Sequence, residues 1–425
     1  MSMRLLTGIV IASLAAVISV QQATASDTSG LYSGRTYHLG LPGPGYGYGQ
    51  YYKKPTTLNF GFWTEAGVFT NTHGTGLGRL NGGYLPHERF EPASGNSALL
   101  VNLQNPRFNM NQMGLFLEKR MNTQCGFDWG FKTQMMFGTD AYLTQSREDF
   151  WLDGEWRSGD YYTSISDLYA TAGYGKLGVK VGKFASPLSY EHAESPNNFF
   201  YSHSYAFLQS PDTHSGVVAD YQVACPISVY AGWTTGSDAG WANRFGDSGL
   251  LAGVRTKVWQ GGTLSYGMQY ASVHGGEYNG QNRFSKMYGH NLMTGQDMDA
   301  YYHSLVFSQA LGKWNYATEW FLMKASNFSN RQQDSFARYG LTQYLTYKVN
   351  CKWGVGFRGE WMRDGSRDDD FYAMTLGANW TPVRCLVVRP EIRYDWHQGV
   401  AGINPFNDGK HREQLSGGVS AIYKF

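Results

Sequence analysis

The sequence predicts an all-β fold, a closed antiparallel transmembrane β-barrel of about sixteen strands. Three observations lead to this prediction. Apolar and polar side chains alternate with the period of a strand, short and long connections alternate between the segments, and aromatic residues make up 16% of the 425 residues. The mean hydropathy of −0.41 is compatible with such a barrel, because half of each strand faces water.

The N-terminal residues MSMRLLTGIVIASLAAVISVQQATASD have the parts of a secretory signal peptide. Arg4 supplies a positive n-region, Leu5 to Val20 an apolar core, and Ala23 to Ala25 a small-x-small cleavage motif. We expect export with removal of residues 1–25. The Gly/Pro/Tyr-rich residues 26–54 are then expected to form a periplasmic linker, followed by a transmembrane barrel over 55–425.

Period-two segments recur from Thr57 to the C-terminus. In one of them, for example, Phe127 and Trp129 alternate with Asp128 and Lys132. Sixteen segments are predicted, at 57–71, 107–120, 126–138, 162–175, 177–184, 215–224, 227–236, 249–259, 263–274, 299–310, 314–326, 335–349, 352–364, 370–381, 386–397 and 412–425.

The connections between these segments alternate in length. From the second segment onward every other connection is tiny, with the sequences NTQC, GYGK, VACP, QGG, LGK, NCK and PVRC, whereas those between are mostly long: 72–106, 139–161, 185–214, 275–298 and 398–411. Short periplasmic turns on one rim and long extracellular loops on the other are typical of outer-membrane barrels. The rhythm therefore predicts the outer membrane of a Gram-negative envelope as the location.

Apolar and ionisable side chains alternate along the ten residues VRPEIRYDWH, 388–397. This alternation indicates which face of the strand contacts lipid and which contacts water. In a membrane barrel the apolar row faces lipid and the charged row faces a water-filled lumen. Trp396→Arg is then expected to hamper assembly, and Arg393→Ala to alter conductance only. Pro390 cannot donate to a β-ladder, so a bulge is expected there.

Ionisable side chains on the water-facing rows are the candidate pore-lining residues. Fixed charges in a wet lumen are the usual selectivity device of pores, but here the two signs nearly balance and predict no ion preference. The candidates are Arg120, Asp128, Lys132, Asp167, Lys180, Arg255, Lys257, Glu319, Arg338, Arg358, Glu360, Arg389, Glu391, Arg393 and Asp395, with Glu65, Glu118, Asp220 and Lys348 as further members.

The long connection after the fifth segment, 185–214, is a candidate constriction loop that folds into the barrel. It contains Glu191, His192, Glu194 and His203, which are expected to line the rim of an eyelet. A metal or acid/base site is the alternative for these residues, although no ligand spacing is recognisable.

The four cysteines all fall in or beside short turns. Cys351 and Cys385 lie in neighbouring turns and are a candidate disulfide, which export would permit. Cys125 and Cys225 are two hairpins apart, roughly 20 Å, which is beyond disulfide reach. Cross-linking to another molecule or to the cell wall is therefore also considered.

The C-terminus ends LSGGVSAIYKF, with Tyr423 two residues before the terminal Phe425. An aromatic residue at each of these positions resembles the sorting signature that the barrel assembly machinery reads. We therefore expect Tyr423 and Phe425 to act as an assembly signal.

Three stretches carry a family resemblance: DLYATAGYGKLGVKVGKFASPLSYE (167–191), NNFFYSHSYAFLQSPDTHSGVVADY (197–221) and YAGWTTGSD (230–238). They resemble the OmpL-like beta-barrel porin family over about 70 residues. The resemblance implies an outer-membrane channel, and analogy with general porins suggests a homotrimer.

The predicted function is that of a porin for passive diffusion of small hydrophilic solutes and ions, without cofactor or enzymatic activity. Two rivals stay open: a plugged structural or adhesive barrel, cross-linked through its periplasmic-rim cysteines, and an outer-membrane hydrolase, although no G-x-S-x-G motif is present. The expected partners are outer-membrane lipid and the assembly machinery. The net charge of +2 gives no reason to expect nucleic acid.

Overall fold

The structure is a computed structural model. It describes residues 58–72, 79–80, 83–84, 108–123, 126–146, 161–241, 247–273, 298–327, 336–365, 368–399, 404–406 and 410–425. The predicted signal peptide and linker lie outside these residues. Within them, no helix has the length and apolar character needed to cross a membrane.

The described residues form eighteen strands, of which sixteen close into one barrel. The strands are β1 (Leu58–Asn71), β2 (Arg79–Leu80), β3 (Gly83–Tyr84), β4 (Phe108–Lys119), β5 (Phe127–Gly138), β6 (Tyr162–Tyr174), β7 (Leu177–Ala185), β8 (Thr213–Ala224), β9 (Ile227–Thr234), β10 (Ser248–Trp259), β11 (Gly262–Val273), β12 (Met298–Leu311), β13 (Trp314–Asn327), β14 (Phe336–Lys348), β15 (Trp353–Asp364), β16 (Asp369–Val383), β17 (Leu386–Gln398) and β18 (Glu413–Lys424). The pair β2–β3 is a separate small hairpin.

Each barrel strand pairs antiparallel with its sequence neighbours, and β18 pairs with β1 to complete the closure. The barrel order is β1-β18-β17-β16-β15-β14-β13-β12-β11-β10-β9-β8-β7-β6-β5-β4. A closed sheet leaves no edge strand and pairs its backbone groups internally, as hydrocarbon requires. The predicted closed sixteen-stranded antiparallel barrel is confirmed.

Short turns join the strands at the periplasmic rim, where glycine gives the backbone conformation that the tightest ones need. Gly175, between β6 and β7, has a φ of 56°, and Gly312, between β12 and β13, has a φ of 59°. Such positive φ angles are strained for residues with a Cβ, which explains why these two turns begin with glycine.

The alternation along β17 separates the two solvents of the barrel. Arg389, Arg393 and Asp395 are fully buried inside, whereas Ile392 is 48% exposed on the outer face. The apolar side chains of this strand therefore lie on the outer face of the barrel and its charged side chains on the inner face. A barrel embedded in lipid requires this arrangement.

Pro390 is accommodated without the bulge expected at its position. The β16–β17 ladder keeps one register on either side of the proline, from Gly377↔Glu391 to Trp380↔Val388, and it lacks the two pairs between them. The register shift lies further along, between Trp380 and Val383. Local omission of ladder bonds therefore accommodates the missing N–H of proline.

Candidate functional site

The segment 186–212 between β7 and β8 lies inside the barrel, and we call it the inner loop. The backbone N–H of Tyr190 donates to Glu319 on β13 at 3.2 Å, and that of Ser195 donates to Gln112 on β4 at 3.0 Å. Because β4 and β13 are well separated around the closed sheet, only a segment within the barrel can reach both.

Glycines on the wall make room for bulky side chains of the inner loop. A Cβ built on Gly267 would lie 2.4 Å from Cδ2 of Leu188, and one built on Gly377 would lie 3.0 Å from Cδ1 of Phe200. Both distances are shorter than ordinary van der Waals contact. The absence of a side chain at these wall positions is therefore part of how the loop fits.

A short helix in the inner loop, α1 (Tyr205–Gln209), positions the side chain of Tyr205 against β17. The side chain of Ser204 caps it by accepting the backbone N–H of Phe207 at 3.1 Å. From the first turn the hydroxyl of Tyr205 donates to Asp395 on β17 at 2.6 Å. The cap thus positions a direct contact between loop and wall.

Arg358 on β15 is the centre of the loop's attachment. Its guanidinium donates to Glu360 at 2.7 Å, to Glu191 of the loop at 2.9 Å, and to the Ser202 carbonyl at 2.7 Å. The side chain is 0% exposed. An arginine removed from water in this way is tolerated because carboxylates and carbonyls surround it.

Arg393 on β17 extends the same network. It donates to Glu360 at 2.8 Å, to Asp395 at 2.9 Å, and to the carbonyl of His203 at 3.1 Å. We call Glu191, Arg358, Glu360, Arg393 and Asp395 the ionic lattice. It joins two wall strands to the loop through charge-assisted hydrogen bonds, the strong class.

Arg389 makes a second attachment beside the lattice. It pairs with Glu65 on β1 and donates to the carbonyls of Asn198 at 3.1 Å and Phe200 at 2.8 Å. The hydroxyl of Ser195 donates to the same Glu65. One arginine therefore holds the chain of the loop against the seam where β1 meets β18.

The electrostatics of the inner loop follow from burial and from these pairs. Burial alone would raise the pKa of Glu191, but Arg358 and His203 bring it down to about 2. For His192, burial lowers the pKa, against the opposing effect of Glu194. Glu191 is thus held ionised and His192 is held neutral at pH 7.

A different arrangement lines the β4–β10 side of the wall. Lys132 donates to Asp167 at 2.6 Å, and Arg255 lies 3.6 Å from Asp220. Lys180 stands 3.9 Å above the Tyr169 ring. We call the following set, which alternates in sign from β4 to β10, the charge belt: Glu118, Lys132, Asp167, Lys180, Asp220 and Arg255.

Two basic residues of the belt retain more water contact than the arginines of the lattice. The side chains of Lys132 and Arg255 are 15% and 19% exposed, whereas those of Arg358 and Arg393 are 0% and 1% exposed. The middle members Asp167, Lys180 and Asp220 are each 2% exposed, so the belt is partly open only towards its two ends.

Most of the predicted lining residues fall in one of these two arrangements. Arg338 on β14 pairs with Asp364 at 3.1 Å and also donates to Gln209 of the loop at 3.1 Å. Glu391 accepts the backbone N–H of Tyr201 at 2.8 Å. Lattice and attachment residues are thus occupied by the loop.

Three predicted lining residues lie near the periplasmic rim. Asp128, at the start of β5, accepts from Lys119 at 3.1 Å, and Lys257 lies near the end of β10. Arg120 lies beyond the end of β4 with its side chain 63% exposed, and pairs with Glu118 at 2.8 Å. Arg120 therefore lies at the rim, one residue beyond the end of β4 at Lys119.

The four predicted loop residues do not form one cluster. Glu191 and His203 meet at 3.1 Å beside Arg358, whereas Glu194 accepts from Gln134 on β5 at 2.5 Å. The backbone N–H of His192 donates to Asn198 at 3.0 Å. Among the described residues, no group of three or more His, Cys, Asp or Glu could hold a metal ion.

Neutral amides are the functional residues that sequence reasoning missed. Gln112 accepts from Ser195 and donates to the Ala193 carbonyl at 2.8 Å, while Gln134 binds Glu194. Both stand in the water-facing register of predicted strands. Their place in that register is the sequence signal that could have identified them.

The cysteines do not form the expected bridge. Cys225, Cys351 and Cys385 are free, and Cys125 lies outside the described residues. Cys351 precedes β15 and Cys385 follows β16, so two strand spacings, about 10 Å, separate their turns. That span exceeds the reach of a disulfide, and the candidate pairing of Cys351 with Cys385 is wrong in this structure.

One Ser–His contact bears on the hydrolase alternative. Nε2 of His214 lies 3.0 Å from the hydroxyl of Ser186, at the base of the inner loop. The other ring nitrogen faces the carbonyl of Gly236 and the amide of Gln269, each at 3.4 Å, rather than a carboxylate. His214 is fully buried, so the contact fits a fixed attachment at the base of the loop rather than a nucleophile with substrate access.

The comparisons with known proteins agree with this architecture. A model of the family described as "Putative beta-barrel porin-2, OmpL-like" matches residues 78–425. No curated protein matches the chain.

Three solved structures are similar to the chain. The outer membrane channel DcaP of Acinetobacter baumannii has a TM-score of 0.54 at 11% identity, over 87% of this chain and 97% of that one. An anion-selective porin from Comamonas acidovorans has 0.53 at 8%, over 87% and 100%. The trimer form of OmpT, an outer membrane protein of Vibrio cholerae, has 0.51 at 12%, over 88% and 100%. At these identities the likeness concerns the fold.

Proposed function

Because the chain belongs to the OmpL-like β-barrel porin family, we propose that it lets small hydrophilic solutes and ions diffuse passively across the outer membrane. The predictions of an outer-membrane porin and of outer-membrane location are confirmed by the family and the barrel. The two rivals, a plugged structural barrel and a hydrolase, are not favoured.

The observation that supports a diffusion path is the unequal coverage of the wall. The inner loop buries the lattice, whereas Lys132 and Arg255, towards the two ends of the belt, keep 15% and 19% of their side-chain surface. Solutes would pass along the partly exposed belt side chains, beside the points at which the inner loop binds Gln112 on β4 and Gln134 on β5. The inner loop would then narrow the lumen, with Glu194 and His192 on its belt side.

The belt would act on solutes through its alternating signs. Neighbouring positive and negative side chains hold few counter-ions, and they can exchange hydrogen bonds of water for bonds to a hydrated solute. Such a path suits small polar molecules that carry both donors and acceptors. No proton or group transfer is required, so the proposal includes no enzymatic activity.

Planar-bilayer recording of the purified, folded protein tests the proposal. Stable single-channel steps are expected, with a conductance that rises with salt concentration. A heat-dependent gel shift verifies folding beforehand. If protein verified as folded in this way gives no single-channel current steps, the proposed diffusion path is contradicted. The plugged structural barrel is then the better description.

A homotrimer is proposed for the assembled state. The trimer form of the Vibrio cholerae protein supports it by likeness of fold alone. The mass of the detergent-solubilised complex, measured by light scattering with detergent correction, is expected to equal three chains. A monomer mass under all solubilising conditions would contradict it.

The assembly machinery is proposed to read the C-terminal strand. Tyr423 pairs with Thr64, and the backbone of Phe425 exchanges hydrogen bonds with Phe62 at 2.8 and 3.3 Å. Deleting Phe425 should lower the yield of folded barrel in the outer membrane. Unchanged surface yield would argue against the signal.

A further inference from the structure

A group of buried polar atoms lies where the inner loop covers the inner faces of β12, β13 and β14. Each atom is shielded from water, and none has a hydrogen-bond partner. They are Oγ of Ser189 on the loop, the hydroxyls of Tyr302, Ser304, Thr342 and Tyr344, and Oε1 of Glu319. Buried polar atoms are normally hydrogen-bonded, so a group of unpartnered ones indicates a water molecule or an ion between them.

Four of these side chains converge on one point, and we call Ser189, Ser304, Glu319 and Thr342 the oxygen cluster. Glu319 and Thr342 are direct partners in the β13–β14 ladder, where opposite Cβ atoms lie about 4.5–5.5 Å apart. They are 0% and 1% exposed, so both point into the barrel. The hydroxyls of Ser189 and Ser304 face the same carboxylate without an aligned hydrogen bond to it.

The charge of Glu319 has no counter-charge from the protein. Its Oε2 accepts the backbone N–H of Tyr190, and in the part of the chain that the structure describes no basic side chain forms an ion pair with it. The charged group that acts on it most strongly is another carboxylate, that of Glu191. A carboxylate removed from water is stable only with a positive partner or a bound proton. Glu319 therefore requires a positive charge that does not come from a side chain.

Aromatic side chains of the inner loop shield the oxygen cluster on one side. The ring of Tyr190 packs on that of Tyr344, with 4.6 Å between the ring centroids. Phe199, Phe200 and Ala317 complete this apolar contact. An ion held beside it loses part of its hydration shell, and fixed protein oxygens must replace the lost water.

We propose that the oxygen cluster binds one monovalent alkali cation between the inner loop and the β12–β14 wall. Ligands that are all oxygen suit hard cations. One carboxylate balances one positive charge, whereas a divalent cation would leave an excess charge in a buried site. Calcium also takes six to eight oxygen ligands, and magnesium keeps several of its waters.

The bound cation would fasten the loop to the wall. Its ligands come from β12, β13 and β14 and, through Ser189, from the inner loop itself. The ionic lattice holds the loop further around the barrel, at β15 and β17. The cation site is separate from the charge belt on β4–β10, so the inference is independent of whether the lumen conducts.

Thermal unfolding of the purified protein in different chloride salts tests the site. The measurement is the temperature at which the heat-modifiable band is lost, at pH 8 in a non-ionic detergent. Sodium chloride and potassium chloride are compared with choline chloride at the same concentration, so that charge screening is equal and only the size of the cation differs. A ligand that binds the folded state alone stabilises it, so the temperature should be about 2–4 °C higher in the better of the two alkali salts than in choline chloride.

Three variants locate the effect. Glu319→Gln removes the charged ligand and should abolish the difference between alkali and choline salts. Glu118→Gln is the matched control, because Glu118 lies on β4, pairs with Arg120 and is 14% exposed, and it should keep the difference. Thr342→Val replaces one ligand hydroxyl with a methyl group and should raise the salt concentration that gives half of the effect several-fold. Because Thr342→Val leaves all charges in place, it also tests the site if Glu319→Gln does not fold.

Two results would overturn the proposal. Equal unfolding temperatures of the wild type in all three salts would show that a proton or water, and not a cation, occupies the oxygen cluster. A difference between salts that persists unchanged in Glu319→Gln or in Thr342→Val would place the cation elsewhere on the protein. Single-channel recordings from the same preparations report separately on the pore: a protein that responds to alkali cations but gives no current steps would contradict the proposed function and leave the cation site intact.

Discussion

The ring of Phe199 lies directly over Gly356, so that a Cβ built on the glycine would fall 2.4 Å from Cε1 of the ring. The phenylalanine belongs to the inner loop and the glycine to β15, two residues before Arg358. This contact fixes the loop at the level of the ionic lattice by shape alone, without charge.

Gly356→Ala should therefore displace Phe199 and loosen the inner loop. Overpacking of this kind costs about 1–3 kcal/mol. We expect noisier single-channel current and a higher mean conductance, recorded in planar bilayers. Gly359→Ala is the control, because its nearest neighbour is the ring of Phe357 at 3.3 Å, away from the loop. Identical traces from both variants would show that the Phe199 contact does not hold the loop.

Arg393→Ala should destabilise the barrel, in contrast to the expectation from sequence that it alters conductance only. Removing the guanidinium leaves Glu360 and Asp395 close together and partly unpaired inside the wall. Breaking a buried pair in this way costs about 3–5 kcal/mol. The measurement is the urea concentration at which the heat-modifiable band is lost.

Arg363→Ala is the matched control for that experiment. Arg363 lies on β15 with its side chain 29% exposed and pairs with Asp368, which is 78% exposed. A solvent-exposed pair contributes about 1 kcal/mol or less. Equal losses of stability for the two variants would show that the lattice is no stronger than a surface pair.

Acidification should release the inner loop through Glu191. Its pKa is about 2, below the ordinary value of 4.5, because Arg358 and His203 outweigh the effect of burial. A carboxylate with a lowered folded pKa contributes stability above its unfolded pKa and loses it as the pH falls toward its folded pKa. Current noise should therefore be constant from pH 7 to pH 5 and increase between about pH 4.5 and pH 2.

The matched variant for this pH series is Glu191→Gln. It cannot ionise, so its current noise should be higher at pH 7 and should change less over the same acid range. If the wild type and Glu191→Gln respond to acid identically, other carboxylates control the loop.

Arg255→Glu should shift ion selectivity toward cations. The belt would lose one of its accessible positive side chains and gain a negative one beside Asp220. The reversal potential across a salt gradient is the measurement. Arg120→Glu makes the same change of charge at the exposed rim and should shift the potential much less. A larger shift of the reversal potential from Arg120→Glu than from Arg255→Glu would show that the belt does not line the conduction path.

The sequence was sufficient to predict the strands, because their pattern repeats at short range. The predicted span 215–224 became Thr213–Ala224, and other predicted strand ends also lie within two residues of the observed ones. Alternation in β17 likewise predicted which of its side chains meet water. Each inference depends on a few neighbouring residues and on the strand period.

The attachment of the inner loop could not be predicted in the same way. Glu191 and Arg358 are 167 positions apart in the chain, and they meet only because the closed sheet and the loop bring them together. Wall glycines that make room for a loop side chain, such as Gly356, could not be recognised from the sequence either. A glycine in a strand can have several other structural roles. The predicted Cys351–Cys385 bridge failed because turns at one rim that follow each other in the chain are two strand spacings apart.

The contacts of the inner loop have a consequence for the order of folding. Through Glu65 and Gln112 it binds strands synthesised early, and through Arg358, Arg389 and Arg393 it binds strands synthesised late. A loop tied to both cannot be threaded easily into a finished cylinder. We therefore expect the inner loop to take its position first and the C-terminal strands to assemble around it afterwards. The loop would then act as a template on which the last strands of the barrel close.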